Sequence, residues 1–358
     1  MNTEHIPNIY GVQPDLRACE FTENTLFTPY RIHDVPQLLV PPDRTYCEVV
    51  RMKTNSRRGR APISALAALL CIAALPSPAL TQERPVQPET AAEAARHTGA
   101  YPSFGRTREI TTGALGVGMM GAGFLIDIDV QPVPVEGLDA STIKLSVDRN
   151  IVGNRSMSAL TASDWTRNAA LLMPWALAAL TGPDGDRWHA MGPRLGVWAE
   201  TFFVSMGATS LGKSAFSRPR PFAYLPSDQR PDDEYYDPSR ERAFVSMPSG
   251  HASAAWTATG LAMTEHLLYR PDAHWFERVS VGFLGGALAA STSKLRVEAG
   301  QHFPTDVLSG SALGLMSGVT VPLLHRGSLP LPSGSALLQM SGSALAGSLI
   351  AILLGSGF

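Results

Sequence analysis

Seven apolar stretches of helical length, at residues 110–126, 165–180, 195–212, 252–268, 279–293, 307–324 and 335–354, constrain this chain more than any other feature. Each is longer than an ordinary strand, and the alternation of apolar and polar residues that marks a half-buried strand is poor throughout. Alanine, glycine and serine dilute the apolar residues, and there is no internal repeat. The pattern predicts an all-α fold. Pro174 is expected to kink the second stretch, and Asp164 to cap its start. Residues 127–164 read as loop with short turns. Residues 221–245 are polar, rich in proline and more acidic than basic, and read as an exposed loop.

The front of the chain reads differently. Residues 1–51 lack periodicity and are expected to be a disordered upstream extension. A basic run that contains Arg57, Arg58 and Arg60 precedes an apolar run at 63–75, followed by small residues at Ser77, Ala79 and Thr81. That order describes a secretory signal peptide over 52–81, with translation starting at Met52. The apolar run is about thirteen residues, short against the roughly twenty that a membrane span needs. Residues 82–106 read as a linker, 107–326 as the functional helical domain, and 327–358 as an apolar tail rich in glycine and serine. The cysteines are Cys19, Cys47 and Cys71, so the chain after residue 81 has none and no disulfide framework can be built there. A net charge of −2 over 358 residues predicts no nucleic-acid partner.

Three polar segments lie at the edges of the apolar stretches. Lys213 and Arg220 bracket a turn that Pro219 and Pro221 stiffen. Pro248-Ser249-Gly250-His251 opens a helix, with Ser249 as N-cap and Gly250 allowing close backbone approach to a ligand. Arg296, His302 and Asp306 precede the run at 307–324, and Pro304 suits the first helical turn. A carboxylate four residues after His302 can hold one imidazole nitrogen and leave the other free to attack. Each segment alone also admits a structural reading: basic residues complement a helix C-terminus, a capped helix can carry a surface histidine, and a buried His–Asp pair can be a satisfied polar group. Together, three cations, two helix N-termini and two histidines suit a tetrahedral oxyanion. No H-E-x-x-H or comparable metal-ligand cluster occurs, and no metal or other cofactor is expected.

In order and spacing, Lys213-x6-Arg220-Pro221, Pro248-Ser249-Gly250-His251 and Arg296-x5-His302-x3-Asp306 resemble the three signature motifs of the type 2 phosphatidic acid phosphatase and vanadium haloperoxidase superfamily. The resemblance covers roughly residues 110–325. Leu295 stands where the third motif often has serine, which removes a hydroxyl but no charge. The resemblance implies a helical-bundle phosphatase. In it His302 is the nucleophile, Asp306 orients His302, and His251 is the general acid and base. Lys213, Arg220 and Arg296, with Ser249 and the Gly250 backbone, bind phosphate. The substrate is then a phosphorylated small molecule or a lipid phosphate or diphosphate. Vanadate-dependent haloperoxidase and a non-catalytic lipid- or anion-binding envelope protein are the alternatives.

Tyr224, Tyr235 and Tyr236 are candidates for shaping substrate access. His189, His266, His274 and His325 match no motif, and the tryptophans at 165, 175, 198 and 256 are expected to pack. Location turns on parity. With residue 82 exported, three crossings would put Lys213 in the cytoplasm. An exported soluble or peripheral enzyme of the cell envelope avoids that, and Glu200, Glu265 and a mean hydropathy of +0.02 point the same way. An integral membrane protein with an outward-facing site is the alternative.

Overall fold

The computed structural model describes residue 102 and residues 104–127, 137–181, 187–327 and 329–354. The expected extension, signal peptide and nearly all of the linker lie outside the described residues. Among the described residues there are α-helices and short 3-10 turns and no strand. The long helices are α1 (Arg106–Asp127), α3 (Met157–Thr181), α4 (Arg187–Phe216), α5 (Gly250–Tyr269), α6 (Trp275–Glu298), α7 (Pro304–Leu324) and α8 (Gly334–Leu354), and α2 is a single turn (Ser146–Arg149). Each of the seven apolar stretches falls in one long helix.

Two expectations need correction. The second stretch starts as a helix at Met157, because the Ser156 hydroxyl accepts the Ala159 N–H at 3.2 Å and caps it. Asp164 therefore lies inside α3 and does not cap it. The segment expected as a tail is helix α8, packed along α6. Small residues on both helices are what let the two backbones meet: a Cβ on Gly347 of α8 would stand 2.2 Å from the Phe283 carbonyl oxygen, and one on Gly286 of α6 2.0 Å from that of Ala344.

Helix α5 is the centre of the bundle. Fifteen of its 20 residues are buried, and it packs against α3, α4, α6 and α7. Its contact with α7 runs along a ridge of glycines at four-residue spacing. A Cβ on Gly310, Gly314 or Gly318 would lie 2.4, 2.2 and 2.4 Å from the carbonyl oxygens of Ser249, Ser253 and Thr257 respectively. This ridge sets the register, and because both numbers rise together the helices are parallel, with their N-termini side by side. Buried hydroxyls then tie α4 to α5: Ser205 Oγ lies 3.0 Å from Ser253 Oγ and 2.6 Å from Thr257 Oγ1, and Thr209 donates to Ser253 at 2.9 Å. Satisfied in this way, polar groups in a core add specificity without an unpaired cost.

Helices α4 and α6 end where α5 and α7 begin, and α3 starts there, with the Ser156 N–H bonded to the Glu298 carbonyl at 3.1 Å. One end of the bundle thus collects the sequence motifs. Helix α1 runs parallel to α4, since Gly116 abuts Phe203 and Gly123 abuts Ser210. The chain therefore enters α1 at the opposite end, where Arg108 donates to the Leu324 carbonyl.

Candidate active site

Local backbone chemistry delivers each motif. Helix α6 stops at Gly300, which adopts φ +66° and would drive a Cβ to 1.9 Å from the Asn154 carbonyl oxygen. The Arg296 carbonyl accepts the Gln301 N–H at 3.1 Å and the His302 N–H at 3.3 Å. That turn swings His302 inward ahead of Pro304, the first residue of α7. Ser249 caps α5, its hydroxyl accepting the Ala252 N–H, and its own N–H bonds the Asp306 carbonyl at 2.9 Å. The two helix N-termini are therefore joined directly. Lys213 approaches from α4: a Cβ on Gly250 would sit 3.8 Å from its Nζ.

His302 is 1% exposed. Its Nδ1 lies 2.7 Å from the Ser246 carbonyl oxygen. A carbonyl only accepts, so Nδ1 carries the proton and Nε2 presents its lone pair. Arg220 NH1 stands 3.3 Å from that Nε2 and also donates to the Gln301 carbonyl and Oε1, each at 3.1 Å. Arg220 Nε donates to the Arg242 carbonyl at 2.7 Å. Arg296 is buried, with NH1 3.4 Å from Ser163 Oγ and Nε without a partner. Among the described residues neither Arg220 nor Arg296 forms an ion pair with a carboxylate. Burial and mutual repulsion bring Arg220 down to about 9, and burial brings Arg296 down to about 10. Burial first, then Arg220, Arg296 and Lys213, hold His302 well below its ordinary value. Two buried guanidiniums that pair with no carboxylate among the described residues, beside a neutral imidazole, form a cradle suited to an anion.

This spatial convergence of three motifs has a counterpart in the family comparison: residues 195–329 match the model of the PAP2 superfamily. That similarity supports a phosphatase-type function in general, on phosphorylated small molecules or lipids. No curated protein and no solved structure matches the chain.

Within the matched region, all the motif residues converge on one end, but the contact expected between Asp306 and His302 is not direct. Asp306 Oδ2 is 3.9 Å from His302 Nδ1, too far for a hydrogen bond. The fully buried Asp306 instead accepts from Ser246 Oγ at 2.6 Å, from the Phe303 N–H at 2.8 Å and from Arg218 NH1 at 2.6 Å. It thereby holds the residue whose carbonyl holds His302. Burial raises the Asp306 pKa, while Arg218 and these hydrogen bonds oppose that rise. Arg218 also bonds Thr305 Oγ1 at 2.7 Å and Asp148 Oδ2 at 2.9 Å, and lies over the Phe303 ring. Asp148, 1% exposed on α2, accepts the Thr305 N–H at 3.2 Å and hydroxyl at 2.7 Å.

Sequence reasoning missed Arg218, Ser246 and Asp148. Arg218 lay inside the first motif segment, two residues before Arg220. Asp148 offered no signal, being 157 residues from Thr305. His251 brings in two more residues outside the PAP2 match: its Nε2 lies 2.7 Å from Asp164 Oδ1 and 2.6 Å from Arg167 NH1. Burial first, and then Arg296, lower His251 to about 3, with Asp164 pulling upward and Arg167 downward.

The expected access residues divide. Tyr236 is buried, donating to the Ala299 carbonyl at 2.7 Å, so it supports the turn before His302 and does not line an opening. Tyr224 packs edge-on to Phe303, and Tyr235 is exposed. His274 caps α6 and His325 pairs with buried Glu200 at 2.9 Å.

Proposed function

We propose that the site hydrolyses phosphomonoesters, or lipid phosphates and diphosphates, by phosphoryl transfer to His302 and then to water. The observation that carries this reading is the lone pair of His302 Nε2, set by the Ser246 carbonyl and facing Arg220 inside a cradle of cations. Lys213, Arg220, Arg296 and the backbone at Ser249 and Gly250 bind the three non-bridging oxygens and meet the charge that develops on them. His302 Nε2 bonds to phosphorus as the phosphorus–oxygen bond to the leaving group breaks. His251 gives a proton to that leaving oxygen. Water then attacks phosphorus, the nitrogen–phosphorus bond breaks, and His251 takes the proton from the water. Asp306 acts through Ser246, keeping its hydroxyl occupied and its carbonyl aimed at Nδ1.

Phosphate release from a soluble phosphomonoester and from a lipid phosphate, with EDTA present, tests this. The expected result is release by the native protein and a fall of at least about a thousandfold in His302→Ala, the scale of losing an enzyme's nucleophile. Release that persists in the variant would overturn the assignment of the nucleophile. No release, with vanadate-dependent bromide oxidation instead, would overturn the phosphatase reading.

As to location, exposed apolar side chains circle the bundle, among them Leu125, Leu172, Phe203, Leu284, Leu315 and Leu349 on six different helices. α7 and α8 are long and apolar enough to cross a membrane. These features support a bundle seated in a bilayer with the site beyond one surface, in preference to the soluble or peripheral enzyme favoured by parity.

A further inference from the structure

One imidazole nitrogen cannot serve both of the partners that His251 Nε2 has. Asp164 Oδ1, at 2.7 Å, can only accept a hydrogen bond, and Arg167 NH1, at 2.6 Å, can only donate one. A protonated Nε2 satisfies Asp164 and opposes Arg167, while a bare Nε2 does the reverse. The two partners hold each other at 3.3 Å, and Asn168 Oδ1 fixes Arg167 from behind through Nε at 3.1 Å and NH2 at 3.0 Å. The guanidinium of Arg167, 26% exposed, is thus held from two sides, while Asp164 is 47% exposed and reaches the ring from the surface. His251 Nδ1 has no hydrogen-bond partner among the described residues.

We propose that Asp164 and Arg167 are positioning residues that share His251 Nε2 alternately, Arg167 in the empty site and Asp164 during turnover. This rests on His251 being the acid and base of the reaction above. In the empty site Nε2 is bare and accepts from Arg167, and Nδ1 carries the proton. Binding of a phosphate dianion draws a proton from solvent onto Nε2, which then donates to Asp164. His251 is now an imidazolium. Its Nδ1 proton passes to the leaving oxygen, with the N–H electron pair remaining on nitrogen. In the second half of the cycle the same Nδ1 lone pair takes a proton from the attacking water. The other proton stays on Nε2, hydrogen-bonded to Asp164, throughout, so the base is a neutral imidazole of the correct tautomer.

The charged and titratable groups that face His251 are Asp164 and Arg167 from α3, Lys213 from α4, Arg296 from α6 and His302 from the turn before α7. Only Asp164 favours the charged imidazole. The two partners should therefore act with opposite sign, which a merely structural role would not produce. The alkaline limb of the kcat profile marks loss of the imidazolium. Arg167→Gln is expected to move that limb up, and Asp164→Asn to move it down, each by roughly one pH unit, the scale of a neighbouring charge at hydrogen-bond distance. Arg167→Lys should restore the native limb. Shifts of the same sign, or none, would overturn the proposal.

A measurement on the native protein covers the case in which the variants do not fold. Nitrogen-15 chemical shifts of the histidine rings are recorded without and with inorganic phosphate. Nε2 of His251 should change from a bare to a protonated nitrogen on phosphate binding, and an unchanged Nε2 in the bound protein would sink the alternation. Phosphate release by that same protein reports on the underlying acid–base reading separately.

Discussion

At the scale of single residues, the site sets Arg220 and Arg296, which pair with no carboxylate among the described residues, beside one carboxylate that is fully engaged. Asp306 has three donors and no exposure, and Arg218 supplies one of the three while also gripping Asp148 and Thr305. Removing one member of a buried pair leaves the other charged and unsatisfied, at a cost of about 3–5 kcal/mol. Arg218→Gln is expected to fall at the lower end, about 3 kcal/mol, because Arg218 is itself 22% exposed. Thermal unfolding would read this as a lower midpoint. Phosphate release should fall further than the folded fraction, because Ser246 loses the anchor that aims its carbonyl at His302. A variant as stable and as active as the native protein would show that Arg218 does not hold the turn. That arginine was visible in the sequence only as one more basic residue before Pro219. Its partners Asp148 and Asp306 come from distant segments, and pairwise distance is not a property of spacing.

At the scale of elements, the parallel pair α5 and α7 brings two helix N-termini side by side at one end of the bundle. Their approach depends on the ridge of Gly310, Gly314 and Gly318. A methyl group on Gly314 would stand 2.2 Å from the Ser253 carbonyl, which belongs to helix backbone and cannot rotate away. Overpacking of this kind costs about 1–3 kcal/mol, and here it also separates His251 from His302. Gly314→Ala is accordingly expected to lower the thermal midpoint and to reduce phosphate release in the fraction that remains folded. Retention of full activity by a stably folded variant would mean that the crossing tolerates more distance than its geometry implies. The helices themselves were legible as apolar runs. Their pairing was not, because the glycines that dictate it read as mere dilution of apolar character until a facing backbone is known.

At the scale of the whole molecule, the charged residues of the described long helices lie toward the two ends of the bundle. The stretches 110–126, 168–181, 201–212, 252–264, 279–293, 307–324 and 334–354 carry no Asp, Glu, Lys or Arg, and the site residues lie beyond their ends. Buried Glu200 at the far layer is paired with His325, so it does not count against a lipid setting as it seemed to in isolation. Trp165 at the site end and Trp275 at the far end are exposed, as side chains at two membrane surfaces are. The bilayer reading predicts that the protein stays with membranes on carbonate extraction, and release into the wash would count against it. It also has a consequence for topology. The chain enters α1 at the end opposite the site, so an outward site needs the residues before α1 on the inner side. In that arrangement the apolar run at 63–75 does not act as a cleaved export signal. In a chain with Cys19, Cys47 and Cys71 changed to serine, single cysteines placed by Ser239→Cys in the site-end loop and Asp272→Cys in the far turn should differ in labelling by an impermeant maleimide on intact cells, the first reacting and the second not. Labelling of both would place the bundle outside the bilayer.

The sequence by itself determined the helical class, because apolar runs of that length without alternation can bury themselves in no other way. It also determined the chemical types at the site, since the motif residues carry their charge and proton affinity wherever they are placed. Only the tertiary structure decided which group orients which. Asp306 sits four residues from His302 in the chain, yet the turn at Gly300 and the start of α7 point it at Ser246 and Arg218. Asp164 and Arg167, about eighty residues before His251, reach its ring because α3 and α5 pack side by side. Residue type is local, whereas a hydrogen bond needs two atoms within about 3 Å, and that separation belongs to the packed chain.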